Sequence, residues 1–201
     1  MEPQEEIGSA FPTGIKDLDI LFLSGIENDR DLLNTLNTNR ATKKYSNNES
    51  LWINRFKRKY PEDFDYVKDH KNMSWKDFSL LLIKYLDLVK GNYNTAMKLV
   101  AQGGHQDLVD FFISEGADNW DWGMQVAARG GHQELVDFFI SKGARDWNMG
   151  MRGAAQGGHR DLVDFFISKG ARYWNSGMEG AEQGGHHDLV DFFKRKMQTR
   201  Q

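Results

Sequence analysis

The clearest feature of the chain is a recurring pattern of apolar and polar positions. From Gly91 to Gln198 a unit of 27 residues occurs four times. Its anchor, Gly-Gly-His, falls at 103–105, 130–132, 157–159 and 184–186, and Leu-Val-Asp-Phe-Phe follows shortly after each. On a helical projection Leu108, Val109, Phe112 and Ile113 share one broad face, while Asp110 and Ser114 point away from it. This predicts a helix over about Gln106 to Glu115 and its equivalents, ended by Gly116, Gly143 or Gly170. A shorter helix precedes each anchor. It is expected to open at Asn94, Asp121, Asn148 or Asn175, whose side chains suit a helix start, and to carry Met97, Met124, Met151 or Met178 inward. The glycine pair then permits the left-handed turn of a helix end. Strand-like alternation is absent, so four stacked helix pairs are predicted.

The first ninety residues are patterned differently but also helically. Ile15, Leu18, Leu21 and Phe22 have helical spacing, as do Leu32, Leu33 and Leu36. A further helix is expected from Asn48-Glu49-Ser50, carrying Leu51, Trp52, Phe56 and Tyr60 until Pro61 ends it. Another spans Trp75 to Val89, opened by Ser74-Trp75-Lys76-Asp77 in the manner of a capping box. The organisation is therefore a tail (1–10), a helical module (11–65), a linker with an N-terminal capping helix (66–90), and four repeats (91–198). Lys194-Arg195-Lys196 gives the last repeat a charged, solvent-facing cap.

Composition narrows the classes. There are 26 basic and 29 acidic side chains, with no basic excess in either half, so nucleic-acid binding is not expected. No cysteine is present, which excludes disulfides and thiolate chemistry. No apolar run approaches the roughly 18 residues of a membrane span, and the acidic N-terminus does not resemble a signal peptide. A soluble intracellular protein is expected.

Catalytic and metal chemistry find little support. Stacked repeats lie about 10 Å apart, while zinc needs each ligand within about 2.1 Å. The four Gly-Gly-His histidines are thus expected to bond nearby backbone, not a shared ion. The column Asp110, Asp137, Asp164 and Asp191 reads as solvated surface, and the paired phenylalanines as core. Arg55 to Tyr60 reads as an amphipathic helix with a wet side. The expectation is no enzyme, no metal and no cofactor.

Positions that vary between repeats mark where a partner binds. The fifth, eighth and twelfth residues of each unit share one side of the first helix, opposite the methionines. From this ladder the partner-binding candidates are Lys98, Trp122, Gln125, Arg129, Met149, Arg152 and Glu179, with Trp122 and Met149 as anchors. The alternative is that Trp122 and Met149 fold into packing between repeats.

These residues carry two resemblances. Gly-Gly-His-x-Asp-Leu-Val-Asp-Phe-Phe-Ile-Ser-Lys-Gly-Ala resembles the second-helix signature of ankyrin repeats, and Gly123 to Ala128 sits where that family carries T-P-L-H-L-A-A. The unit is shorter than ankyrin's, which implies an α-solenoid lacking the β-hairpin finger, with the varied ladder on its inner face. Such short units look most like ankyrin-like proteins of large DNA viruses infecting amoebae. The N-terminal module resembles an F-box: Phe11 to Ile15, Ile20 to Leu23, Asp29 to Leu33 and Asn48 to Trp52 match its segments loosely. That resemblance maps contacts with the Skp adaptor of cullin–RING ubiquitin ligases onto Phe11, Pro12, Ile15, Ile20, Leu32 and Leu33. It implies a substrate-recruiting adaptor for an unknown client in the host-cell cytoplasm. The alternative is a structural or scaffolding protein, virion-associated, with no ubiquitin role.

Overall fold

In the computed structural model the described residues are 29–38, 43–70, 73–89 and 92–198. Among them every regular element is helical. The chain divides into two compact units between Lys84 and Tyr85, inside the helix expected to cap the array.

In the N-terminal unit, α1 (Asp29–Thr38) leads through a short 3-10 turn at Lys43–Tyr45 to α2 (Glu49–Lys59), α3 (Phe64–His70) and α4 (Trp75–Val89). Asn48 caps α2 by accepting from the Leu51 N–H, and the helix ends at Tyr60 just before Pro61. Half of the expected capping box at α4 forms: Ser74 Oγ accepts from the Asp77 N–H at 3.0 Å, while the Asp77 carboxylate accepts from the Ser74 hydroxyl at 2.7 Å and not from its backbone N–H. Glu49 adds to it from α2, accepting from the Trp75 N–H at 2.9 Å, which suits a carboxylate at the positive end of a helix. An aromatic cluster forms the core: Phe56 lies 5.2 Å from Trp75 and 5.5 Å from Phe78 between ring centres, and Phe64 stacks on Trp75. The basic run behaves as an amphipathic helix, with Phe56 and Tyr60 5.1 Å apart and Lys57, Arg58 and Lys59 exposed. Arg55 departs from that wet side and is buried. Helix α3 was not expected.

The second unit is the solenoid. Its helix pairs are α5 and α6 (Tyr93–Gln102, Gln106–Ser114), α7 and α8 (Trp120–Gly130, Gln133–Lys142), α9 and α10 (Trp147–Gly157, Arg160–Lys169), and α11 and α12 (Trp174–Gly184, His187–Gln198). Every turn falls where the glycines stand. Gly131, Gly158 and Gly185 close the first helices with φ of 80°, 78° and 75°, and Gly143 and Gly170 close the second helices with φ of 119° and 115°. These are left-handed conformations that a β-carbon disfavours.

The core repeats as well. The second phenylalanine of each pair (Phe112, Phe139, Phe166, Phe193) is fully buried. In the last three repeats its ring lies so close to a glycine of the partner first helix that a β-carbon at Gly123, Gly150 or Gly177 would overlap it. The first phenylalanine differs from expectation in the middle repeats. Phe138 and Phe165 are half-exposed, each edge-on to its neighbour, with Lys142 and Lys169 amines 5.2 Å above the rings.

The helix starts require a correction. The first helices are capped not by Asn94, Asp121 and Asn148 but two residues earlier, by Asn92, Asn119 and Asp146. These accept from the N–H groups of Thr95, Trp122 and Met149 at 3.0, 3.2 and 3.0 Å. Side chains inside a first turn lean back toward the helix start, and here they reach the next repeat. Asn94 Oδ1 accepts from the Asp118 and Asn119 N–H groups, and Asp121 Oδ1 from those of Arg145 and Asp146. Asn148 Oδ1 does the same for Arg172 and Tyr173 at 2.8 and 3.0 Å. One polar side chain per repeat thus pins the loop that enters the following one.

Candidate functional site

The exposed side of the first helices carries an open groove of about 600 Å³ in repeats 2 to 4. Trp122, Gln125, Met149 and Arg152 line it together, so four of the seven residues expected to bind a partner converge on one surface. Trp122 is 42% exposed and Met149 half-exposed. Trp122 thus keeps a substantial part of its surface in solvent.

The other three candidates stand apart from the groove lining. Lys98 places its amine 3.5 Å from the centre of the Trp122 ring, a cation–π contact that holds the indole in place. Arg129 donates through Nη2 to Gln102 Oε1 of the preceding repeat. Glu179 is exposed on α11.

The residue with the most exposed large apolar surface was missed by sequence reasoning. Tyr173 is 69% exposed and lines the groove. It occupies the capping position held by Asn92, Asn119 and Asp146 in the other repeats, and α11 has no side-chain cap as a result. Replacing a capping residue with one that cannot accept costs about 1 kcal/mol. The ring thus replaces a cap and stays largely in water. The break in the series Asn, Asn, Asp, Tyr was the available signal, hidden because the caps were placed two residues too late.

Arg145, Trp147 and Asn148 also line the groove. Arg145 is committed to structure: its Nη1 donates to the Ile140 and Ala144 carbonyls at 2.8 and 2.6 Å, closing the end of α8. Asn148 is the inter-repeat clamp.

The histidines link repeats through the backbone. His132 Nε2 lies 3.0 Å from the Gln102 carbonyl oxygen, and His159 Nε2 3.1 Å from that of Arg129, each in the repeat before. Their rings pass over Gly104 and Gly131, where a β-carbon would stand 2.6 Å from the ring carbon. Among the described residues no group of three or more His, Asp or Glu side chains is arranged to hold a metal. The aspartate column is solvated at Asp137, Asp164 and Asp191, with Arg160 paired to Asp164 at 2.9 Å. Asp110 is half-buried and accepts from Gln106. Among the described residues the one displaced titration is that of Tyr93, whose hydroxyl is raised above its ordinary value near 10 by its hydrogen bond to Glu115, then by burial and by that carboxylate's charge.

Of the residues mapped as adaptor contacts, Phe11, Pro12, Ile15 and Ile20 lie outside the described residues, as does the expected helix over Ile15 to Phe22. Leu32 is fully buried in the isolated chain. Leu33, half-exposed beside it, stays accessible. Among the described residues no helix is long and apolar enough to cross a membrane. No protein-family model matches the chain, and no curated protein is detectably similar to it.

Proposed function

We propose that this is a protein-binding repeat protein that holds an extended segment of a client in the groove of repeats 2 to 4. The observation that carries the reading is Tyr173, an exposed aromatic ring in place of a helix cap, facing the same groove as the exposed Trp122. Aromatic side chains with a polar edge are the residue types that anchor protein interfaces. The groove offers no cluster of acid, base and nucleophile, so binding without chemistry is the function it supports best. Selection of random displayed peptides on the full chain tests this. Enriched peptides should lose binding to Trp122→Ala and to Tyr173→Asn, while both variants remain helical by circular dichroism. Peptides indifferent to both substitutions would place the binding surface elsewhere.

A second reading adds a docking role for the N-terminal unit, supported by the F-box resemblance of residues 11 to 52 and by the accessible Leu33. The protein would then recruit its client to a cullin–RING ubiquitin ligase through a Skp adaptor, in a host cell infected by a large DNA virus. Because Leu32 is core, the informative variant is Pro12→Ala with Leu33→Asp, which should abolish adaptor binding and leave peptide binding intact. If the unmodified chain binds no adaptor at high concentration, the scaffolding reading replaces this one.

A further inference from the structure

The groove's polar lining specifies what the client segment must carry. We propose that its ligand is a protein segment with a carboxylate side chain next to an aromatic or large aliphatic one, the carboxylate pairing with Arg152; this rests on the reading of the groove as a peptide-binding surface. Three charged side chains line the groove: Arg145, Arg152 and Asp146. Arg145 is spent on the carbonyls that close α8. Asp146 caps α9 through its bond from the Met149 N–H. Asn148, though neutral, is equally committed to the Arg172 and Tyr173 N–H groups.

What remains is a set of polar side chains, one of them cationic, with no partner. Among the described residues Arg152, Gln125 and Ser176 have no hydrogen-bonding or ionic partner, and all three face the groove. Gly180 lies directly against Arg152: a β-carbon there would overlap the Arg152 carbonyl oxygen and stand 3.1 Å from its Cγ, so glycine at 180 lets the first helices of repeats 3 and 4 approach closely beneath this side chain. Arg152 is half-buried as a residue, and the planar fork of its guanidinium matches a carboxylate through two parallel hydrogen bonds. The Gln125 amide and Ser176 hydroxyl add neutral donors beside it.

The apolar half of the ligand follows from the same surface. Trp122, Met149 and Tyr173 form an apolar margin to the polar set. A cationic ligand is disfavoured, because Lys98 already sits over the Trp122 ring and Arg152 is uncompensated. Nucleic acid is disfavoured by the net charge of −3. An acidic, apolar peptide meets both halves.

The test uses the displayed-peptide selection on the full chain, followed by affinity measurement on synthetic copies of the winners. Winners are expected to be acidic with an aromatic or large aliphatic residue close by. Arg152→Glu should weaken them about tenfold or more, and replacing the peptide's own acidic residue by Lys should recover binding to that variant. Lys169→Glu, the same charge change on an exposed position outside the groove, should leave affinity unchanged. Winners that are neutral or basic, or that bind Arg152→Glu as tightly, overturn the inference; if they still depend on Trp122, the peptide-binding reading survives it. Winners that ignore both Trp122 and Arg152 overturn both. A phosphoserine in place of the winner's Glu that binds far more tightly would overturn the carboxylate in favour of phosphate.

Discussion

Asp121 reaches across to Arg145, 24 residues further along the chain, and accepts its backbone N–H at 2.7 Å. The same oxygen accepts from Asp146 at 2.8 Å. Two amides that would otherwise face solvent at the entry to repeat 3 are thereby fixed by repeat 2. Asn94 and Asn148 make the equivalent contacts in their own repeats, so what is required at this position is an oxygen acceptor, not a charge. Asp121→Asn should therefore unfold in urea close to the unmodified protein, whereas Asp121→Ala should lose about 1–3 kcal/mol. Equal losses in both would show that the charge, not the acceptor, holds the loop.

The contact between Gly150 and the Phe166 ring makes a second prediction. A β-carbon at 150 would overlap the ring, so Gly150→Ala should cost about 1–3 kcal/mol through overpacking, despite alanine's better helix propensity. Phe166→Ala should cost about 3–5 kcal/mol. Combining Gly150→Ala with Phe166→Leu should be less damaging than the sum of the two, because the smaller side chain makes room for the methyl group. Strict additivity in the denaturation midpoints would mean the two residues do not constrain each other.

Tyr173 separates stability from binding. Tyr173→Asn restores at repeat 4 the cap that Asn119 makes at repeat 2, and should raise stability by about 0.5–1 kcal/mol while weakening peptide ligands. A gain in one property with loss of the other is the signature of a residue kept for function. If Tyr173→Asn lowers the melting temperature, the ring has a packing role and the argument for the groove loses its main support.

The histidine links predict a stability effect without a metal effect. His159→Ala removes the partner of the Arg129 carbonyl and should cost about 1–2 kcal/mol. Stoichiometric zinc should leave the melting temperature of the unmodified protein where it is, since among the described residues no group of three or more ligands is arranged to couple metal binding to folding. A shift of several degrees would point to a histidine site that the described geometry does not contain.

Tyr93 should make the array sensitive to alkali. Its folded pKa is raised by Glu115, so the unfolded chain loses the phenolic proton first. The stabilisation is complete below about 10, the ordinary tyrosine value, and is lost as pH rises through the folded value. Tyr93→Phe should flatten this part of the stability–pH curve. An unchanged alkaline slope in that variant would assign the effect to another group.

The helices and their core were legible in the sequence because they are local. Leu108, Val109 and Phe112 recur at helical spacing, Gly131, Gly143 and their equivalents stand in left-handed turns, and three or four copies of each signal remove ambiguity. Helix α3 was not legible: Phe64–His70 is a short, polar segment after Pro61, too brief for a periodic signal, and it is held by the stacking of Phe64 on Trp75. The site was half legible. Variation between repeats located Trp122, Gln125, Met149 and Arg152, because positions free of packing constraints differ from copy to copy. What only the tertiary structure decided was the use of polar residues at the repeat boundaries. Asn119 and Asp121 are both good acceptors near a helix start, and sequence alone cannot say which one turns inward to cap its own helix and which reaches a loop 24 residues away. That choice depends on where the next repeat lies. Only once the caps were placed did Tyr173 stand out as the one first-helix start without a side-chain cap, and only the packing of the repeats set Trp122, Arg152 and Tyr173 around one groove.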